Sequence, residues 1–202
     1  MRELPILMNG EMVRAILDGT KTQTRRPVTL SVGNDNRFPT GKYTVMNITD
    51  PRAVQYAPYS EGDTLWVRET WQDTRSPGEP QNARQIMYRA DDNRSLIGWR
   101  PSIHMPRWAA RIFLTVTSVR VERLNQVTNQ DILREGIRSG SCNVCIHAGG
   151  SGCEHCFSML NPFRTLWDSI YAKRGLGWSN NPWVWVTEFK VQKVIGKGGN
   201  HA

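Results

Sequence analysis

The sequence contains no run of apolar residues close to the roughly 20 that a membrane-spanning helix needs. Its opening residues, Met1-Arg2-Glu3-Leu4-Pro5, lack the apolar stretch of a signal peptide. Internal repeats and low-complexity segments are absent as well. These absences predict a soluble protein of the cytoplasm, with no membrane partner and enough residues to bury one core.

Lysine is scarce in a chain that is strongly basic. Of the 26 basic residues only 6 are Lys and 20 are Arg, and the net charge is +8. The excess is uneven, because residues 101–202 hold 12 basic against 6 acidic side chains. The planar guanidinium of arginine pairs with phosphate and stacks on bases, so this bias favours a nucleic-acid partner. Genome base composition is the alternative source of an arginine excess.

Cysteine is also rare, and all four residues fall within one stretch of 15. Two C-x-x-C pairs are separated by seven residues that include three glycines. Without a signal peptide, disulfides are disfavoured, and paired thiolates at this spacing are typical of a tetrahedral zinc site. We therefore predict a structural zinc ion in a small insertion over residues 138–160, with the ligands Cys142, Cys145, Cys153 and Cys156.

The first helix is followed by the most informative stretch of the chain, Gly19-Thr20-Lys21-Thr22-Gln23-Thr24-Arg25-Arg26. Asn9 is placed to cap the helix, and Gly19 stands where a helix ends in the left-handed conformation. The stretch carries three basic and three hydroxyl side chains. It is predicted to be a loop that holds an anion, a base edge or a catalytic lysine, and a solvated basic turn is the alternative.

These residues resemble the signature of the ASCH superfamily, a Gly-x-Lys-x-x-x-Arg pattern matched by Gly19, Lys21 and Arg25. Residues 61–71 resemble the turn and strand that follow in ASCH proteins, and residues 182–189 resemble their closing strand. The chain as a whole resembles the larger ASCH-domain proteins of phages and prophages, which implies the cytoplasm of a bacterial host cell. The resemblance implies an α+β fold, a PUA-like mixed β-barrel over residues 1–202 with flanking helices.

Local patterns add the remaining elements. Apolar and polar residues alternate over 110–124, which predicts a long strand, and residues 183–194 are predicted to form a second one that completes the barrel. Thr128 and Asp131 form a capping-box variant that opens a helix closed by Gly136. Asn161-Pro162 opens a second helix to about residue 174. Residues 29–59 show no period and are interpreted as an irregular insertion with one strand near 42–48.

The resemblance also implies an activity. Some small ASCH proteins are amidohydrolases that remove the acyl group of N4-acetylcytidine, with a lysine and a threonine of the signature and a glutamate on a later strand. The matching positions are Lys21, Thr24 and Glu69. Neutral Lys21 would take the proton of Thr24, and Glu69 would pass a proton to the leaving amine. A ribonuclease-like activity belongs to the same class.

Each of these residues has a structural alternative. Lys21 can be an ordinary phosphate contact, Thr24 can hydrogen-bond its own turn, and Glu69 can pair with Arg25 or Arg68. Trp108 stands beside Arg107, where a ring and a guanidinium can enclose a base. The predicted nucleic-acid contacts are Lys21, Arg25, Arg26, Arg68, Arg107 and Trp108.

Three functions follow from these patterns. The preferred one is a nucleic-acid-associated ASCH protein that binds RNA, or a modified nucleotide, in a cleft between residues 19–26 and the strand of Glu69. The second is a hydrolase that acts on modified nucleosides or RNA with Lys21, Thr24 and Glu69. The third is a phage accessory protein that binds a host or phage protein through the zinc insertion.

Overall fold

The structure, a computed structural model, describes residues 1–28, 37–39, 45–74, 85–91, 98–137 and 160–195. Nine strands and three α-helices lie in these ranges. The strands are β1 (Glu3–Leu7), β2 (Gln23–Pro27), β3 (Arg37–Pro39), β4 (Val45–Asn47), β5 (Thr64–Arg68), β6 (Trp71–Asp73), β7 (Ile86–Tyr88), β8 (Ile112–Arg123) and β9 (Trp183–Val194). The helices are α1 (Gly10–Leu17), α2 (Asn129–Arg134) and α3 (Leu160–Tyr171).

Five strands form the main sheet, in which hydrogen-bonded neighbours follow the order β1-β5-β8-β9-β2. β3 pairs with β4, and β6 pairs with β7, as separate antiparallel ribbons. The α+β class predicted from the sequence is confirmed by these elements, whereas closure of the sheet into a PUA-like barrel stays a prediction. Within the described ranges, no helix is both long and apolar enough to span a membrane.

The chain divides into two compact units, which we call unit 1 (residues 1–19, 61–117 and 189–202) and unit 2 (residues 20–60 and 118–188). The long strands β8 and β9 each contribute one end to each unit. The single domain over residues 1–202 that the sequence predicts is not tested by this division and stays a prediction.

Unit 1 is built on β5, which runs parallel to β1 and antiparallel to the first half of β8. Its helix α1 begins where the Asn9 side chain accepts the amide of Met12 at 2.8 Å, and Gly19 ends the segment at φ 73°. Both features were predicted from the sequence. The wholly buried apolar residues of the unit include Val13, Leu65, Val67, Ile112 and Leu114.

Unit 2 pairs β2 antiparallel with β9, from Gln23 opposite Glu188 to Pro27 opposite Val184. One core cluster joins α2, α3 and β9 through Ile132, Phe163, Trp167, Val184 and Val186, among others. The predicted capping box of α2 is present, because Thr128 and Asp131 each accept the other's backbone amide. The helix closes before Gly136, whose φ is 82°.

Two elements differ from the sequence-based expectation. Residues 23–27, expected in a loop, form β2, because their extended backbone finds a partner in the distant strand β9. In residues 29–59 the strand predicted near 42–48 is present as β4, but β3 and a 3₁₀ helix over Pro51–Tyr56 were not predicted. For residues 23–27, pairing with a distant segment overrides a weak local pattern.

Candidate functional site

Lys21 lies just before β2, where its backbone forms an isolated bridge with Glu135 at the end of α2. The amide of Thr22 also donates to the carbonyl of Arg134 at 2.8 Å, which fastens the two segments together. The Nζ of Lys21 donates to the carbonyl oxygen of Glu135 at 2.9 Å and to its Oε2 at 3.0 Å. Since Lys21 is only 1% exposed, its ammonium group is held inside unit 2 rather than offered to solvent.

Arg25 shares the Glu135 carboxylate with Lys21. Its Nη1 lies 3.0 Å from the Oε1 of Glu135, and its Nη2 lies 2.6 Å from the Oε1 of Glu122. The same Nη2 lies 3.3 Å from the Oδ2 of Asp131. Arg25 is 2% exposed, so its charge is taken up by three carboxylates of its own unit.

A third cation, Arg120, completes this group. Its Nε lies 3.1 Å from the Oε2 of Glu122, its Nη2 lies 3.2 Å from the Oδ1 of Asp131, and it also pairs with Glu188. We name the set of three cations and four carboxylates the Lys21 cluster. Its members are Lys21, Arg25, Arg120, Glu122, Asp131, Glu135 and Glu188.

Burial shifts the protonation equilibria inside the Lys21 cluster. Removal from water lowers the pKa of Lys21, and Glu135 opposes that shift, while the charges of Arg26 and Arg25 add to it. Burial alone would raise the pKa of Asp131, but hydrogen bonds from Thr128 and Gln23 and the charge of Arg25 outweigh it and lower the pKa to about 2. A lysine with a lowered pKa beside a carboxylate is suited to give up and regain a proton.

Gln23 adds an incomplete hydrogen-bond pattern to the Lys21 cluster. Its Nε2 donates to the carbonyl oxygen of Asp131 at 3.3 Å and to the Oδ1 of that residue at 3.2 Å. Its Oε1 is buried and accepts no hydrogen bond from the described residues. Buried polar atoms are rarely left in this state.

Thr24 points away from this group by strand alternation, together with Arg26, since Lys21, Gln23 and Arg25 share the opposite parity. Thr24 is 1% exposed, and no hydrogen bond joins it to Lys21 within the described ranges. The Nη1 of Arg26 donates to the hydroxyl of Tyr171 at 3.3 Å. The structure therefore joins Lys21 to Glu135 rather than to Thr24.

Glu69, the third residue predicted to be catalytic, belongs to unit 1, whereas Lys21 belongs to unit 2. Its carboxylate accepts two hydrogen bonds from Arg111, at 2.9 and 3.0 Å, and both side chains are 1% exposed. Arg111 also pairs with Asp91, and its guanidinium lies 4.0 Å from the ring centroid of Tyr88. The sequence suggested Arg25 or Arg68 as the partner of Glu69, and this is corrected to Arg111.

The Glu69–Arg111 ion pair is buried, so each charge is stabilised by the other. Burial raises the pKa of Glu69, and the two hydrogen bonds from Arg111 pull it back. Burial also raises the pKa of Tyr88 to about 12. The ion pair therefore holds the start of β8 against the segment that follows β5.

An exposed surface of tryptophan and arginine also lies in unit 1. Trp108 is 52% exposed, and its ring stands edge-on to the buried ring of Trp71 at 5.6 Å and 87°. The guanidinium of Arg100 lies 5.1 Å from the centre of the Trp71 ring. Residues 98–110 contain no acidic side chain. We call Trp71, Arg100 and Trp108 the tryptophan surface.

The other predicted nucleic-acid contacts of unit 1 lie near rings as well. Arg68 lies 5.5 Å from the Trp66 ring and donates to the carbonyl of Ile103. Arg107 lies 4.4 Å above the Phe113 ring, and Glu3 accepts hydrogen bonds from its Nε and Nη2 at 2.9 and 3.0 Å. Arg107 is therefore oriented by two neighbours and still about half exposed.

Several residues of these groups were missed in the sequence. No sequence motif indicates an ion-pair partner for Glu135, Glu122 or Arg111. For Glu135 a weak signal exists, because it directly precedes the glycine that ends α2, and the helix start was recognised from Thr128. The pairings themselves connect residues about 40 to 110 positions apart in sequence, which no local pattern encodes.

The predicted zinc ligands Cys142, Cys145, Cys153 and Cys156 lie outside the described residues, so the zinc insertion stays a prediction. Within the described ranges, no group of three or more His, Cys, Asp or Glu side chains is arranged to hold a metal ion.

Comparisons with known proteins complete the description of the site. No family model matches the chain, and no curated protein matches it in a sequence search. A crystal structure from Enterococcus faecalis V583, described under the family model DUF984, aligns with a TM-score of 0.46 and 9% identity, covering 100% of this chain and 86% of that one. The crystal structure of an ASCH domain from Lactobacillus crispatus JV V101 aligns with a TM-score of 0.43 and 11% identity, covering 94% of this chain and 79% of that one. Both TM-scores are below 0.5, so neither alignment assigns a role to a residue of this chain.

Proposed function

We propose that this protein binds single-stranded RNA through the tryptophan surface of unit 1. The observation that carries the proposal is the half-exposed ring of Trp108, held edge-on by Trp71 beside Arg100. An exposed tryptophan stacks on any unpaired base, and a neighbouring arginine supplies charge for the phosphate.

The electrostatics of the chain agree with this proposal. The net charge is +8, and the stretch around Trp108 contributes Arg100 and Arg107 with no acidic residue between positions 98 and 110. Lys21 and Arg25 contribute little to such contacts, because both are buried and paired with carboxylates. We therefore place the proposed contact surface at the exposed ring of Trp108 with Arg100 and Arg107, and no longer in the cleft beside residues 19–26 that the sequence favoured.

The proposal is tested by titrating the full chain into labelled oligonucleotides and following fluorescence anisotropy. Single-stranded RNA should bind more tightly than a duplex of the same strand, because paired bases cannot stack on Trp108. The apparent affinity should fall as salt rises, since phosphate contacts release counterions. Equal affinity for duplex and single strand would contradict base stacking.

A second function, hydrolysis of an acylated nucleoside, is favoured by the contact between Lys21 and Glu135 and by the lowered pKa of Lys21. Because Thr24 points away from Lys21, the nucleophile would be water: neutral Lys21 would take a proton from a water molecule, and the water oxygen would bond to the amide carbonyl carbon. As the C–N bond breaks, the proton taken up by Lys21 would pass through the Glu135 carboxylate to the departing amine, the role that the sequence assigned to Glu69. The Oε1 of Gln23 would accept an N–H of the bound base.

This second function is tested by incubating the protein with N4-acetylcytidine and measuring released cytidine. The native chain and Lys173→Ala, which removes an exposed lysine, should turn over the substrate equally, and Lys21→Ala should not. A folded native chain without turnover would exclude this substrate and leave the binding function.

A further inference from the structure

Beside the start of β1, unit 1 contains a groove of about 680 Å³, which we call the β1 groove. Its wall includes Arg2, Glu3, Arg107, Phe113, Lys193 and Ile195. This volume lies within the range of about 300 to 1,000 Å³ that is typical of small-ligand sites. The groove contains none of Trp71, Arg100 and Trp108, and it shares with the proposed function only the charge of Arg107. The inference drawn from the groove therefore does not rest on the proposed function.

The charge of the β1 groove favours an anion. Three cations line it, namely Arg2, Arg107 and Lys193, against the single carboxylate of Glu3. Asp63, which holds Arg2 through a hydrogen bond of 3.1 Å to its Nε, is buried behind it at 3% exposure. Lys193 is exposed at the end of β9 and forms no ion pair with the described residues.

Arg107 presents a flat, oriented face to the groove. The two carboxylate oxygens of Glu3 accept hydrogen bonds from the Nε and Nη2 of Arg107. The ring of Phe113 covers one side of the Arg107 guanidinium, with its centre 4.4 Å away. The two N–H groups of Nη1 donate to none of the described residues, and the side chain is 47% exposed. A guanidinium fixed in this way can stack on a base with its open side and donate to a phosphate from its edge.

We propose that the β1 groove binds a nucleoside phosphate, with the phosphate on Lys193 and the Nη1 of Arg107 and the base against the Arg107–Phe113 stack. Ile195 supplies an apolar wall for the base or sugar. The shared chemistry is a phosphate joined to a flat ring, which comes either from a nucleotide in solution or from the phosphorylated end of a strand.

Isothermal titration calorimetry on the full chain tests this proposal with AMP, UMP, inorganic phosphate and adenosine as probes. AMP and UMP should bind, adenosine and phosphate alone should bind more weakly, and Lys193→Ala should weaken AMP binding about tenfold, as expected for one charged hydrogen bond. Lys190→Ala removes an exposed lysine of the same strand that does not line the groove, and it should leave AMP binding unchanged. Arg107→Lys keeps the charge but removes the flat face, so it should weaken AMP more than inorganic phosphate.

Adenosine binding as tightly as AMP, or equal losses in Lys193→Ala and Lys190→Ala, would overturn the phosphate site. Loss of AMP binding in Trp108→Ala that equals the loss in Lys193→Ala would overturn the separate groove and assign the nucleotide to the tryptophan surface. Failure of single-stranded RNA to bind, with AMP binding intact, would remove the proposed function and leave the groove. A 5′-phosphorylated oligonucleotide that binds more tightly than its unphosphorylated form, only when Lys193 is present, would identify the end of a strand as the source of the phosphate.

Discussion

The Nζ of Lys21 lies 3.0 Å from a carboxylate oxygen of Glu135, a residue 114 positions further along the chain. The other oxygen of the same carboxylate lies 3.0 Å from the Nη1 of Arg25. One carboxylate therefore contacts two buried cations of residues 19–26. Arg25 also pairs with Glu122 and Asp131, whereas the ion pair of Lys21 within the described residues is with Glu135.

We expect Glu135→Gln to destabilise the protein more than Lys21→Met. The glutamine removes the carboxylate that pairs with buried Lys21, while Arg25 keeps Glu122 and Asp131, and a broken buried pair of this kind costs about 3 to 5 kcal/mol. In Lys21→Met the Glu135 carboxylate keeps Arg25 and an apolar side chain of similar length fills the site, so a loss of about 1 to 2 kcal/mol is expected. Urea unfolding of both variants measures the difference, and a larger loss in Lys21→Met would contradict the shared role of Glu135.

Acid stability should depend on Asp131. Its pKa is lowered in the folded state to about 2, from 3.8, so the ionised form stabilises the fold. That stabilisation is complete above pH 3.8 and disappears as the pH falls toward 2. As the pH is lowered across this range, the unfolding temperature should fall more steeply for the native chain than for Asp131→Asn. Glu11→Gln changes an exposed position, so its unfolding temperature should follow that of the native chain. Parallel curves for all three proteins would contradict the assignment.

Glu69 is expected to stabilise unit 1 rather than to act on a substrate. Glu69→Gln removes the charge that faces Arg111 in a buried pair and should lower the free energy of unfolding by about 3 kcal/mol. The refolded variant should keep the RNA affinity of the native chain, and Glu61→Gln, which alters an exposed carboxylate, should change neither property. An unchanged unfolding free energy together with lost turnover of N4-acetylcytidine would instead return Glu69 to a catalytic role.

The zinc insertion is tested by metal analysis of the purified chain. Four thiolates at the C-x-x-C spacing predict about one zinc ion per chain. Cys142→Ser and Cys153→Ser should each release it, since a closed tetrahedral site needs all four ligands. Full zinc content in both variants would show that other residues bind the metal.

Much of the local structure could be predicted from the sequence, because caps and alternation are local. The Asn9 cap, the Thr128 capping box, the turns at Gly19 and Gly136 and the bounds of β9 all follow from residues within a few positions. The site could be predicted only in part. Lys21 and Arg25 were recognised as special, yet their burial depends on Glu135 and Glu122, which approach only when α2 and β8 are folded.

The role of Trp108 could likewise be predicted only in part from neighbouring residues. Its place beside Arg107 suggested a base contact from the sequence alone. Its exposure and its edge-on contact with Trp71, 37 positions earlier, became visible only in the folded chain.

The most direct test of the proposed function compares the affinity of native protein, Trp108→Ala and Ile103→Ala for one labelled single-stranded RNA. Trp108→Ala should weaken binding by about 1 to 3 kcal/mol, the range found for loss of one stacked base. Ile103 is 56% exposed in the same segment and has no ring, so Ile103→Ala should bind as the native chain does. Equal affinity of all three proteins would contradict base stacking on Trp108 and with it the proposed binding surface.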